Sequence, residues 1–91
     1  MKILAVCGFG VGSSMVLKMT IEKVLSLKGI EAEVENTDVS TAQGMTCDVI
    51  FTSFELAENL KTNVRVPVIP IKRYMDAEEV KAGLESFLEN K

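Results

Sequence analysis

Residues 3–6, Ile-Leu-Ala-Val, form an unbroken apolar run behind a single lysine, and residues 2–6 together predict a strand buried on both faces. Over residues 13–28 the period changes. Val16, Leu17, Ile21, Val24 and Leu25 recur at helical spacing, and Gly29 ends the pattern. Residues 30–35 then alternate strictly, Ile30, Ala32 and Val34 against Glu31, Glu33 and Glu35, which predicts a strand with one solvated face at a sheet edge. A weaker pattern over 39–45 predicts one or two helical turns, with Ser40 placed to cap them. Residues 48–52 predict a second buried strand leading into a short helix over 53–60, with Ser53 at its cap. A fourth strand fits residues 65–71, and Pro67 and Pro70, which cannot donate to a ladder, put it at an edge. The last helix opens on Asp76-Ala77-Glu78-Glu79, a capping-box pattern, and its buried stripe is Val80, Leu84, Phe87 and Leu88.

The element order is therefore β-α-β-α-β-α-β-α. Alternation of this kind means parallel pairing through right-handed crossovers, with helices on both faces of the sheet. The predicted fold is a three-layer α/β domain over residues 1–91, with a four-stranded parallel sheet in the order 2-1-3-4, Rossmann-like or flavodoxin-like. In such sheets ligands bind beyond the carboxyl ends of the strands, where the strand order reverses. The residue at that position is Cys7.

The segment after Cys7 is unusual in composition: Gly8-Phe9-Gly10-Val11-Gly12-Ser13-Ser14. A thiol between a strand end and a helix start faces backbone N–H groups without intrahelical partners, which favour both a thiolate and a phosphoryl group carried on it. Glycines let that backbone fold inward as a nest, and the serines add hydroxyl donors. Helix N-termini bring a cysteine from about 8.5 down to about 7 or lower. Cys7 is thus the candidate nucleophile, with residues 8–14 as the candidate phosphate cradle. The plain alternative is a small apolar residue at a strand end followed by a tight turn.

Composition narrows the chemistry. The 91 residues are 47% hydrophobic and 25% charged with net charge −3, an ordinary globular balance without a basic footprint for nucleic acid. The apolar run before Cys7 is too short for a signal-peptide core and no stretch reaches a membrane-spanning length, so a cytoplasmic location is expected. The sequence has no histidine, which excludes Ser-His-Asp chemistry, histidine metal ligands and a phosphohistidine of its own. No metal or cofactor is implied. Cys7 and Cys47 match no metal spacing and no disulfide is expected, Cys47 reading as a packing residue.

Several loop chemistries compete. Ser13 replaces the third glycine of a dinucleotide fingerprint, and the Lys-Ser/Thr pair that closes a Walker loop is absent. A receiver domain needs acidic strand ends, whereas the third strand ends in Thr52 and Ser53. A cysteine phosphatase or arsenate reductase-like enzyme needs an arginine six positions after its cysteine, where this chain has Ser13; Arg65 and Arg73 lie far along the sequence. Thr52 and Ser53 are placed at the active end of the third strand, and Lys72 and Arg73 after the fourth. Met15 and Met19 read as core by spacing, with Met15 and Phe9 as an alternative docking patch.

The run Cys7-Gly-Phe-Gly-Val-Gly-Ser-Ser-Met15, with Lys18-Met19 behind it, resembles the active-site region of the IIB components of the bacterial phosphoenolpyruvate:sugar phosphotransferase system (PTS), and most of all the L-ascorbate branch. Phe9 and Val11 stand where that branch has more polar side chains. The resemblance implies that Cys7 accepts a phosphoryl group from a phosphohistidine on a IIA (EIIA) protein. Cys7 then passes it to a sugar held in the membrane IIC (EIIC) permease.

Overall fold

The computed structural model describes residues 1–7 and 10–89, with side chains from residue 15 onward in the second stretch. The elements run β1 (Lys2–Val6), α1 (Gly10–Lys28), β2 (Glu33–Thr37), α2 (Val39–Gln43), β3 (Val49–Thr52), α3 (Phe54–Leu60), β4 (Val68–Pro70) and α4 (Ala77–Glu89). All three strand pairs are parallel and the sheet order is β2-β1-β3-β4. The expected α/β fold and strand order are both present.

Alternation along the central strands divides the core. Ile3 and Ala5 of β1 and Val49 and Phe51 of β3 join Leu17, Ile21, Val24, Val80, Leu84 and Phe87 in one cluster, against α1 and α4. Leu4, Val6 and Ile50 point the other way, toward Ala42 of α2 and Leu60 of α3. A period of two in a fully buried strand thus feeds both outer layers. The larger cluster holds Phe51, the largest fully buried side chain among the described residues.

Element boundaries differ from expectation where backbone groups were already committed. The second strand starts at Glu33 instead of Ile30, because the Ile30 N–H donates to Leu25 O at 2.9 Å and the Gly29 N–H to Ser26 O at 3.2 Å. Gly29, at φ 67°, closes α1 as a Schellman motif, and that cap takes the amide the strand would have used. Asp38, not Ser40, caps α2, its carboxylate accepting from Thr41 N–H at 2.7 Å. A carboxylate there also complements the positive end of the helix. The fourth strand shortens to three residues at the edge, with Pro67 just before it and Pro70 as its last residue. Gly83 lies on the inner face of α4, where a Cβ would meet Ile69 Cγ2 at 2.6 Å, so the missing side chain lets the helix approach the sheet.

Candidate active site

Three chain crossings meet beyond the carboxyl end of the sheet. Cys7 follows β1 and is buried, and its N–H donates to Thr37 O of β2 at 3.2 Å. Beside it, Thr52 at the end of β3 is fully buried and its hydroxyl donates to Val6 O at 2.9 Å. The ladder between β1 and β3 ends at the Ala5–Phe51 pair, so this side-chain bond continues the pairing to the peptide next to Cys7. Thr52 is therefore spent on holding the strand ends together.

Only Gly8 and Phe9 separate Cys7 from α1, which starts at Gly10, three residues before the periodic apolar pattern. Glycine is a poor helix former, so periodicity and propensity alone put that boundary at Ser13. The first turn of α1 carries no acidic residue. The first N–H groups of a helix have no intrahelical partner, so this end of α1 carries positive potential that no side-chain anion of its first turn offsets. Of the expected phosphate cradle, Gly8 and Phe9 lie outside the described residues. Gly10, Val11, Gly12, Ser13 and Ser14 form the start of α1, and their side chains lie outside them too.

Ser53 caps α3, its hydroxyl oxygen accepting from Leu56 N–H at 3.2 Å, as its position predicts. Near Ser53 stands Tyr74, a residue to which the sequence patterns assign no role. Tyr74 sits in the segment between β4 and α4, half-buried, and lines one groove together with Ser53. Burial is the first cause that pushes the phenol above its ordinary 10.0; the Ser53 hydrogen bond opposes it, and the Cys7 charge and hydrogen bond add to it. The one signal available beforehand was that this is the sole tyrosine, placed just past the fourth strand.

The segment carrying Tyr74 is tethered at three points. Ile71 N–H donates to Thr52 O at 2.7 Å, extending β4. Lys72 and Arg73 N–H donate to the Glu79 carboxylate at 2.6 and 2.8 Å. Glu79 is thereby drawn away from the reciprocal half of a capping box, and α4 is capped by Asp76 alone, which accepts from Glu78 and Glu79 N–H at 3.0 and 3.3 Å. Thr20, buried on α1, donates to Tyr74 O at 2.6 Å.

A groove of about 780 Å³ opens between these elements, with Val16, Ser53, Phe54, Lys72, Arg73 and Tyr74 among its walls. Lys72 and Arg73 thus reach the active end through topology despite their distance in sequence. Met15 and Met19, read as core by spacing, are exposed, because the buried stripe of α1 is Leu17, Ile21, Val24 and Leu25; Phe54, the first residue of α3, is exposed too. Cys47 precedes β3 and so lies at the other end of the sheet, about a strand length from Cys7. Both thiols are free, and burial pushes that of Cys47 up, which suits packing rather than reactivity.

A parallel sheet with a buried cysteine beyond its first strand and a helix starting just after it belongs to the class of open α/β domains whose sites lie beyond the strand ends. Comparison with known proteins carries this to a family. The family model for the lactose/cellobiose-specific IIB subunit of the PTS matches residues 2–85, and the chain belongs to that family. It is 32% identical over 88 residues to the ascorbate-specific PTS EIIB component of Mycoplasma pneumoniae, covering 94% of this chain and 93% of that one. The lactose-specific IIB domain from Streptococcus pneumoniae has the same fold, with a TM-score of 0.68 at 16% identity over 98% of this chain and 95% of that one. The chain is thus a IIB component of a sugar phosphotransferase system, a phosphotransferase part that works with IIA and IIC partners. Among the described residues no helix is long and apolar enough to cross a membrane.

Proposed function

We propose that Cys7 is the phosphoryl carrier of this IIB component and that residues 1–91 act as one domain at the cytoplasmic face of a IIC permease. The observation that carries the reading is the position of Cys7: directly after β1, with two residues between it and a helix whose first turn holds no carboxylate. The Cys7 thiolate attacks phosphorus of a phosphohistidine on the IIA partner. The S–P bond forms as the P–N bond breaks, and the electron pair stays on the imidazole. Backbone N–H groups of residues 8–14 and the hydroxyls of Ser13 and Ser14 hold the phosphoryl oxygens. A sugar hydroxyl in the permease then attacks phosphorus, its proton passing to a base there, and the thiolate leaves. The 32% identical relative points to L-ascorbate or a related carbohydrate as the acceptor.

Incubation with phosphoenolpyruvate, the general PTS proteins and a candidate IIA protein tests this, with mass spectrometry locating the adduct. The expected result is one phosphoryl group on Cys7, retained in Cys47→Ser and lost in Cys7→Ser. The reverse pattern overturns the assignment. Arg73 on the groove wall is the one observation that favours a hydrolase instead. Turnover of an aryl phosphate without partners, lost in Arg73→Ala, would select that reading.

A further inference from the structure

The segment 71–76 joins β4 to α4 at the active end of the sheet, and its backbone is held at more points than a surface connection requires. Ile71 N–H donates to Thr52 O at 2.7 Å, the Thr20 hydroxyl to Tyr74 O at 2.6 Å and Asp76 N–H to Arg73 O at 3.0 Å. Between these points the Glu79 carboxylate takes two successive amides, Lys72 N–H on one oxygen at 2.6 Å and Arg73 N–H on the other at 2.8 Å. Glu79 is thus engaged with main chain, and among the described residues neither the Lys72 nor the Arg73 side chain has an ion-pair partner. Both side chains are exposed on the wall of the groove of about 780 Å³. That groove lies at the cysteine's end of the sheet: Ser53 in its wall directly follows Thr52, whose hydroxyl is bonded to Val6 O, next to Cys7. Val16, Phe54 and Met75 line it as well and are all exposed, Met75 to 83%.

We propose that this groove is the docking surface for the phosphorylated IIA partner, with Lys72 and Arg73 as the charges that recruit its phosphoryl group and Glu79 as the positioning residue that latches them in place. The assignment rests on Cys7 carrying the phosphoryl group. Charge complementarity selects this occupant. The phosphorylated donor differs from the unphosphorylated one by the negative charge of its phosphoryl group, which cations without a counter-ion favour. A permease brings a sugar and no phosphoryl group, so the same charges give it no such advantage. Glu55 is the acid among the described lining residues, and the two cations outweigh it. The apolar walls supply contact area that both forms of the donor share. A backbone already fixed at residues 71–76 loses little further freedom on binding, which is what the Glu79 latch contributes.

Binding is measured on Cys7→Ser, which lacks the thiol and so leaves the phosphoryl group on the donor. The candidate IIA protein, phosphorylated by phosphoenolpyruvate and the general PTS proteins, is expected to bind about tenfold more tightly than its unphosphorylated form. That advantage is expected to vanish when Lys72→Ala and Arg73→Ala are added, and to shrink with salt. Equal binding of the two forms, or an advantage that survives both changes, overturns the proposal. The latch is tested by Glu79→Gln, which removes a negative charge beside the groove but leaves only one acceptor oxygen for two amides. Were net charge alone in control, charging of Cys7 would half-saturate at a lower concentration of phosphorylated IIA. With a latch it half-saturates at a higher one, while the limiting rate is kept and hydrogen exchange at the Lys72 and Arg73 amides quickens. Unaltered exchange, or half-saturation at a lower concentration, overturns the role of Glu79. If wild-type protein takes no phosphoryl group, the carrier reading falls, while the Cys7→Ser binding measurement still decides the docking surface.

Discussion

Replacing Gly83 by alanine pits two opposite effects against each other, and the structure decides the sign. In the interior of α4 the change should help, since alanine is about 1 kcal/mol better than glycine in a helix. The new Cβ, however, would lie 2.6 Å from Ile69 Cγ2, with Phe51 Cε2 at 3.5 Å and Ile71 Cδ1 at 3.7 Å behind it. Carbon atoms prefer about 3.5–4.0 Å, so helix and sheet must part by about 1 Å at this point. Ile69 yields poorly, because Cγ2 sits on a β-branched carbon with little rotameric choice, in a strand whose backbone is paired to β3. Overpacking of this kind costs about 1–3 kcal/mol. The net expectation is a loss of about 1 kcal/mol, or a Tm lower by about 4–8 °C in a domain of this size. Ile69→Ala deletes Cγ2 and should reverse the sign, so that Gly83→Ala then stabilises by about 1 kcal/mol; Ile69→Val keeps Cγ2 and should not. Urea melts of the cycle read these values. If Gly83→Ala has the same sign and size in the wild-type and the Ile69→Ala backgrounds, the close approach is not what places glycine there.

Two further expectations concern the site and the pH response. Thr52→Val keeps the side-chain shape but removes the hydroxyl that satisfies Val6 O, and should cost about 1–2 kcal/mol in urea melts while slowing charging of Cys7. An unchanged melt and rate would show that the bond neither stabilises β1 nor positions the cysteine. Asp38 is held below its ordinary 3.8 by its hydrogen bonds from Thr41, and Glu85 below its ordinary 4.5 by Lys28. Both stabilise the fold fully above those ordinary values and lose the contribution as pH falls through the lowered ones. Stability should therefore drop as pH falls below the ordinary 4.5 and 3.8 and through the lowered values, and less steeply in Asp38→Asn and Glu85→Gln. The Glu85 pair with Lys28 is only partly buried, so added salt should shrink its part.

The chain alone determined the alternation of strands and helices and hence the parallel sheet, because a four-residue apolar run and a helical stripe are properties of local order. It also singled out Cys7 and its glycines, since their chemistry follows from composition and adjacency. Boundaries were decided elsewhere, by competition for backbone groups: the Ile30 amide went to the cap of α1, and Glu79 went to Lys72 and Arg73 instead of its own helix. Only the tertiary structure brought Ser53 and Tyr74 to one groove and made a glycine in α4 a packing requirement. The physical reason is distance along the chain. Hydrophobic period and capping are read within one turn or one strand, whereas Tyr74 stands 67 residues beyond Cys7 and comes to the same end of the sheet only after three crossovers have stacked the strand ends on one side.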